Sequence, residues 1–212
     1  MPTVIFDMDG VISDTELLHA QTESTVLSSR GIDVEPQELL RHAGISSEQV
    51  FREYLEQSKI DVDELVQEKY AALLSLANEI RAIPGVSNLI RSFKQHGWKL
   101  GVASASRRDF VQLVLSSLRL QDYFDITVTV HEAGRGKPAP DVFLLAARSL
   151  GADPKECIVI EDSRSGVEAA RAAGMKCIAF QGFPPSRQDV SKADLVISHF
   201  SQIHPQRLAT IL

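Results

Sequence analysis

A doubly wound α/β fold, with a parallel sheet as its core and one inserted small α-helical cap domain, is the architecture this sequence predicts. Three observations lead there. Six short apolar runs rich in β-branched residues alternate with amphipathic helical patterns. Most of the runs are apolar on both faces, as strands of a parallel sheet buried under helices should be. The alternation breaks once, early in the chain, where a long stretch carries helical patterns and no convincing strand.

The first run is Thr3-Val4-Ile5-Phe6. From about Thr15 to Ile80 the pattern is helical. Pro36 opens one candidate helix, and Ser46 with Gln49, and Asp61 with Glu64, have capping-box spacing for two more. The chain is expected to return to the sheet near Ile83-Pro84-Gly85. This predicts a core of residues 1–14 and 82–212 and a helical cap domain of residues 15–81.

After the return, Val86, Leu89, Ile90 and Phe93 form an i, i+3, i+4, i+7 stripe, with Gly97 as its stop. Lys99 to Ala103 and Ile126 to Val130 read as the next strands. Phe143, Ala146, Ala147 and Leu150 repeat the helical stripe between Pro140 and Gly151. Cys157 to Ile160, Lys176 to Phe180 and Leu195 to Ile197 complete the strands, and Gly182 to Pro185 reads as a loop.

The bulk properties narrow the function classes. A chain of 212 residues suffices for one α/β core plus a smaller accessory domain. The net charge of −6, from 28 acidic and 22 basic side chains, argues against a broad nucleic-acid surface. It leaves room for a small anionic ligand. No apolar stretch approaches the roughly 18 residues a membrane-spanning helix needs, and the N-terminus has no signal-peptide layout. Cys157 and Cys177 match no zinc or redox spacing and read as reduced core residues, although a disulfide stays open if their strands are neighbours. A cytoplasmic monomer, with no membrane or nucleic-acid partner, is the expectation.

The chemistry gathers in the turns that leave the strands. The first strand runs into Asp7-Met8-Asp9-Gly10, the second into Ser104-Ala105-Ser106-Arg107, and the run ending at Ile160 into Glu161-Asp162-Ser163. In a parallel sheet these turns share one edge, and ligands bind there. Asp7 and Asp9 are i and i+2 at a strand end and face one side. Four carboxylates brought so close would force some to protonate. A hard divalent cation with oxygen ligands resolves the conflict.

Asp7-Met8-Asp9-Gly10-Val11 resembles the first motif of the haloacid-dehalogenase family of phosphatases and phosphomutases. Val102-Ala103-Ser104-Ala105-Ser106 resembles the second motif, Gly136-Lys137-Pro138-Ala139-Pro140-Asp141 the third, and Glu161-Asp162 the fourth. Together they span the sheet domain nearly end to end, and the subfamily they resemble is that of β-phosphoglucomutases and phosphoglycolate phosphatases. The resemblance implies an Mg2+-dependent phosphatase acting on a small phosphorylated metabolite. Asp7 would be the nucleophile, forming an aspartyl-phosphate, and Asp9 the general acid/base. Ser104 would bind the phosphoryl group, with the turn residues Ala105 and Ser106, and Arg107 at the margin. Lys137 would neutralise Asp7 and the phosphoryl oxygens. Asp7, the carbonyl of Asp9, Glu161 and Asp162 would hold the metal.

The helical insertion matches the position of the family's small cap. Asp14-Thr15-Glu16-Leu17-Leu18-His19 resembles its hinge, where the Thr belongs to the hinge itself and His19 would lie near Asp9. In Gly44-Ile45-Ser46-Ser47-Glu48, Ser47 stands where β-phosphoglucomutases carry an arginine for a second phosphate, which counts against a mutase. Arg41, His42, Lys59 and Lys69 are candidates to face substrate, although charged residues on amphipathic helices are usually solvated. The alternatives are a β-phosphoglucomutase-like isomerase, a dehalogenase, a phosphonate-cleaving enzyme and a non-enzymatic binding module. The dehalogenase would lack a carboxylate at Asp9, the phosphonate enzyme would need a Schiff-base lysine in the cap, and the module would have lost a motif residue.

Overall fold

The computed structural model describes residues 1–55, 60–182 and 188–208. Lys59 and residues 183–185 of the expected loop lie outside them. The element order is β1 (Thr3–Phe6), α1 (Glu16–Ser28), α2 (Pro36–Leu39), α3 (Ser47–Tyr54), α4 (Val62–Ser75), α5 (Val86–Gln95) and β2 (Lys99–Ser104). Next come α6 (Arg108–Ser117), β3 (Ile126–Thr129), α7 (Val130–Ala133), α8 (Asp141–Ser149), β4 (Cys157–Glu161), α9 (Arg164–Ala172), β5 (Lys176–Phe180), β6 (Leu195–Ile197) and α10 (Pro205–Leu208).

The six strands form one parallel sheet in the order β3-β2-β1-β4-β5-β6. The strand order therefore turns at β1, and its carboxyl end opens between those of β2 and β4. Alternate side chains leave opposite faces of a strand, and the core obeys that rule. Val4 and Phe6 join Val102, Ile160 and Phe93 on one face. Ile5 joins Ala103, Val159 and Phe143 on the other. Burial on both faces explains why these strands carry no polar alternation.

Boundaries move slightly from those the sequence predicts. β2 and β4 each run one residue further, through Ser104 and Glu161, so these polar residues are themselves strand ends. Val130 begins α7 rather than ending β3, because Thr129 and Glu132 close a capping box there. Pro36 is at the start of α2, and Asp61 caps α4 by accepting from the Asp63 amide at 2.9 Å. The capping box expected at Ser46 does not form. Its hydroxyl donates to the Gln49 side chain at 3.4 Å instead of serving the backbone. Gly97 and Gly151 do lie just past α5 and α8, at φ +74° and +60°.

The segment between β1 and β2 is helical as expected. Its two crossings lie side by side: Asp14 N donates to Arg81 O at 2.9 Å, and Ile83 N to Ile12 O at 3.0 Å. On its far side the segment presses on the sheet, where Gly44 faces the turn after β4. A Cβ there, at φ +80°, would lie 2.2 Å from Ser163 Oγ. Only a glycine permits that approach. Cys157 and Cys177 are buried and free. Their strands are neighbours, but the register pairs Cys177 with Val159. Among the described residues no helix is long and apolar enough to cross a membrane.

Candidate active site

At the carboxyl end of β1, the Asp7 amide still pairs with Ile160 O at 2.9 Å, so the Asp7 side chain is fixed by the sheet itself. Lys137, reaching in from the loop before α8, donates to Asp7 Oδ1 and, at 2.6 Å, to Glu161 Oε1. The ammonium is fully buried and lies 5.1 Å from the centroid of the Phe143 ring. Burial alone would lower its proton affinity, but the Asp7 and Glu161 carboxylates outweigh that and hold it charged.

For Asp7 the balance runs the other way. Burial pushes its carboxyl well above the usual range. The Lys137 charge opposes this and the charges of Glu161 and Asp9 add to it. Asp162 is raised for related reasons: burial first, then Glu16, Glu161 and Asp7. Glu16, at the start of α1, is raised by burial and by Asp9, Asp7 and Glu23. Several buried carboxyls thus compete for one ammonium.

Asp9 is the exception. Thr15 Oγ1 donates to its Oδ1 at 2.5 Å and His19 Nε2 lies 3.2 Å from the same oxygen. Ser106 Oγ donates to Oδ2 at 2.8 Å, with Ser104 Oγ at 3.5 Å. Burial works against ionisation, yet the electrostatic pull and hydrogen bond of His19, with the bonds from Thr15 and Ser106, bring the carboxyl down to about 2. Asp9 rests as a carboxylate.

The turn after Asp9 is packed against Asp162. Gly10 has φ +80°, and a Cβ there would fall 2.1 Å from Asp162 Oδ2. Asp162 Oδ1 is buried without a hydrogen-bond partner among the described atoms. A buried acceptor left unpaired is costly and calls for a ligand the side chains do not supply. That orphaned oxygen, beside the raised Asp7 carboxyl, fits a divalent cation. Mg2+ commonly uses one or two carboxylates and takes its remaining ligands from water and phosphate.

Among the described residues no group of three or more His, Cys, Asp or Glu side chains is drawn close enough to hold an ion. Glu161 explains part of this. Its Oε1 is taken by Lys137, and its Oε2 accepts from the amides of Asp162 and Ser163 at 2.8 Å and from Ser163 Oγ at 2.9 Å. Glu161 thus holds Lys137 and the turn in place.

Above Asp7 and Asp9 a cavity opens between the sheet edge and α1, α3 and α4, and Ala105, Ser106 and His19 also line it. Ser104 does not. It is fully buried below, and its Oγ accepts from the Ser106 amide at 3.0 Å. Arg107 does not either. Its guanidinium is paired with Asp109 at 2.8 Å, lies 5.2 Å from the Tyr70 ring centroid, and faces an adjacent open cleft.

The opposite wall holds what the sequence pattern did not reveal. Lys69 is 1% exposed rather than solvated. Its Nζ donates to Glu23 Oε1 and His19 Nδ1, each at 2.7 Å, and to Ser47 Oγ. Two signals were present. Lys69 falls midway between Leu65 and Leu73 on the core stripe of α4. Glu16, His19 and Glu23 are i, i+3 and i+7 on one face of α1, a polar stripe aimed at the site. His42 also lines the cavity, whereas Arg41 lies outside, about half-exposed and paired with Glu53 at 3.2 Å.

This geometry accords with the chain's relatives. The sequence matches the haloacid dehalogenase-like hydrolase family over residues 4–180, and the protein belongs to that family. It is an enzyme, a phosphatase of the haloacid-dehalogenase class. It is 35% identical over 179 residues to the fructose-1-phosphate phosphatase YqaB of Escherichia coli, covering 82% of this chain and 94% of that one. It is 32% identical over 214 residues to the β-phosphoglucomutase of Bacillus subtilis, covering 96% and 92%. Among solved structures, CbbY from Rhodobacter sphaeroides in complex with phosphate superposes with a TM-score of 0.84 at 25% identity, covering 95% of this chain and 96% of that one.

Proposed function

We propose that the protein hydrolyses a small phosphate monoester, of the sugar-phosphate or phosphoglycolate kind, through an aspartyl-phosphate on Asp7. The observation that carries this reading is the Asp7–Lys137 contact at the floor of a cavity onto which Asp9 also opens. The sugar-phosphate substrates in the names of relatives support it.

An incoming phosphoryl group would be met by the Ala105 and Ser106 turn. Asp7 attacks phosphorus, the bond from phosphorus to the ester oxygen breaks, and that oxygen takes a proton from Asp9. Asp9 rests ionised, but a phosphate dianion beside it raises its proton affinity and favours the acid form. In the second half Asp9 takes a proton from water, the hydroxide oxygen bonds to phosphorus, and the bond to Asp7 breaks, releasing inorganic phosphate. His19 and Thr15 keep Asp9 aimed at the reacting atoms. Lys137 aligns Asp7 and favours its ionised form against the burial that raises its carboxyl.

Asp7, Asp162 and the Asp9 carbonyl would hold Mg2+, which when bound would offset repulsion between the anionic nucleophile and the anionic phosphoryl group. Residues 15–81 would act as a cap domain, moving about the paired crossings at Asp14 and Arg81 and expelling bulk water on closure. The reading includes a monomer in the cytoplasm, a compartment that two free buried thiols suit.

A phosphosugar mutase is the second reading, favoured by the Bacillus relative. A mutase passes the phosphoryl group to a sugar hydroxyl and depends on a bisphosphate. Phosphate release from a panel of esters, with Mg2+ and with EDTA, tests the proposal. Rapid Mg2+-dependent release without added bisphosphate is expected. Turnover only as isomerisation, or undiminished release in EDTA, would overturn it.

A further inference from the structure

Glu23 on α1 and Ser47 on α3 line the cavity that opens above Asp7 and Asp9, and the buried Lys69 on α4 is bonded to both. An ammonium has three donors and no acceptor. All three of Lys69 are committed, to His19 Nδ1, Glu23 Oε1 and Ser47 Oγ. The Ser47 hydroxyl is spent as well, donating to Glu23 Oε1 at 3.0 Å. Both lysine and serine therefore work on one oxygen of Glu23. The second, Oε2, has no hydrogen-bond partner among the described residues, on a side chain only 6% exposed that lines the cavity.

Among the described residues no free cation compensates nearby. Of the two histidines that line the cavity, His19 is committed to Lys69 and Asp9, and His42 accepts from Arg41 Nε at 3.0 Å, with burial lowering its proton affinity. Four carboxyl groups, those of Asp7, Asp9, Glu16 and Glu23, line the cavity. A second phosphate or a carboxylate on the far end of a substrate would enter this field with nothing to pair with. A hydroxyl would donate to Glu23 Oε2 in a charge-assisted hydrogen bond.

We propose that Glu23, fixed by Lys69 and Ser47, is a specificity-determining residue that selects monophosphates with an uncharged, hydroxylated body and rejects bisphosphates and phosphorylated carboxylic acids. This rests on the phosphatase reading above and narrows it, excluding its phosphoglycolate branch. A site that offers an acceptor to a substrate hydroxyl discriminates against an anion placed there, which cannot donate and meets the carboxylate as a like charge.

Two matched pairs of esters isolate the charge: 2-hydroxyethyl phosphate against phosphoglycolate, and glycerol 3-phosphate against 3-phosphoglycerate. Within each pair a hydroxymethyl group replaces a carboxylate. Competed in one reaction with Mg2+, the hydroxylated member is expected to be preferred by at least about tenfold in kcat/KM. In Glu23→Gln that preference should shrink at least about threefold. The competition ratio does not depend on how much of the variant folds, so partial misfolding leaves it readable. Equal or inverted preference in the wild type would overturn the proposal while leaving the phosphatase reading intact. So would a ratio unchanged in Glu23→Gln. If none of the four esters and no acetyl phosphate releases phosphate, both fall together.

Discussion

Lys69 Nζ donates to His19 Nδ1 at 2.7 Å, while the other ring nitrogen of His19 lies 3.2 Å from Asp9 Oδ1. Because an ammonium can only donate, Nδ1 is the acceptor and Nε2–H is the donor to Asp9. A lysine on α4 thus sets the tautomer of a histidine on α1, which in turn orients a carboxylate at the end of β1.

Removing that lysine should cost both stability and rate. Lys69→Met leaves Glu23 buried without its partner, a loss of about 3–5 kcal/mol that a thermal melt would register as a clear drop in Tm. Turnover should fall about 10–100-fold. The double variant Lys69→Met with Glu23→Gln should recover much of the stability and little of the activity. Recovery of both would make the role of Lys69 purely structural.

Asp7→Asn should abolish turnover and any covalent phosphate trapped by acid quench, since an amide oxygen is no nucleophile. The same change should raise Tm at pH 7.5 in EDTA. Burial and the neighbouring Glu161 and Asp9 charges make ionised Asp7 a cost to the fold, opposed only in part by Lys137. Asp9→Asn should instead form phosphoenzyme poorly and hydrolyse it slowly.

Without Mg2+ the protein should become less stable as pH rises above the unfolded carboxyl range of about 4. The sign comes from three raised carboxyls. Asp7, Glu16 and Asp162 bind protons more tightly folded than unfolded. Between their unfolded and folded pKa values the native state holds the extra protons, and stability falls as they leave. Asp9, lowered to about 2, acts oppositely: it adds stability above roughly pH 4 that is lost only as pH falls toward 2. Saturating Mg2+ should flatten the slope. Melts across this range with Mg2+ and with EDTA check it, and parallel curves would count against metal at this site.

Ser106→Ala removes a 2.8 Å bond that favours ionised Asp9. The Asp9 carboxyl should rise, moving the limb of the kcat/KM–pH profile on which the Asp9 proton is lost, the alkaline side for a general acid, toward higher pH by about one unit. An unmoved limb would assign it to another group.

Gly10→Ala should disable the site from outside the catalytic groups. Its Cβ would fall 2.1 Å from Asp162 Oδ2 at φ +80°, so Asp162 must move and the backbone must strain. About 1–3 kcal/mol of stability should go, along with Mg2+ affinity measured by titration calorimetry. Unaltered Mg2+ binding would mean Asp162 is not a ligand.

Much of this was legible in the chain. The six runs are the six strands, and the central ones are mostly apolar because a parallel strand buried on both faces has no solvent side, whereas the edge strand β6 leaves Leu195 and Val196 exposed. The polar residues gathered at the carboxyl edge, Asp7, Asp9, Lys137, Glu161 and Asp162, are set largely by where those runs end. The illegible part depends on partners distant in sequence. Arg107 read as a site residue, but Tyr70 and Asp109 hold it outside. Glu161 read as a metal ligand, direct or through water, and only the fold shows that its oxygens also hold Lys137 and the Ser163 turn. Lys69 read as a candidate to face substrate or, by default, as solvated, but Glu23, 46 residues away, takes its charge.

By itself, then, the sequence determined the sheet and which residues end its strands, because hydrophobic period and strand ends are local properties of the chain. The tertiary structure alone decided which of those groups face the cavity, which carboxyls stay protonated and what the far wall will accept. Burial and charge pairing are sums over neighbours, and folding chooses the neighbours.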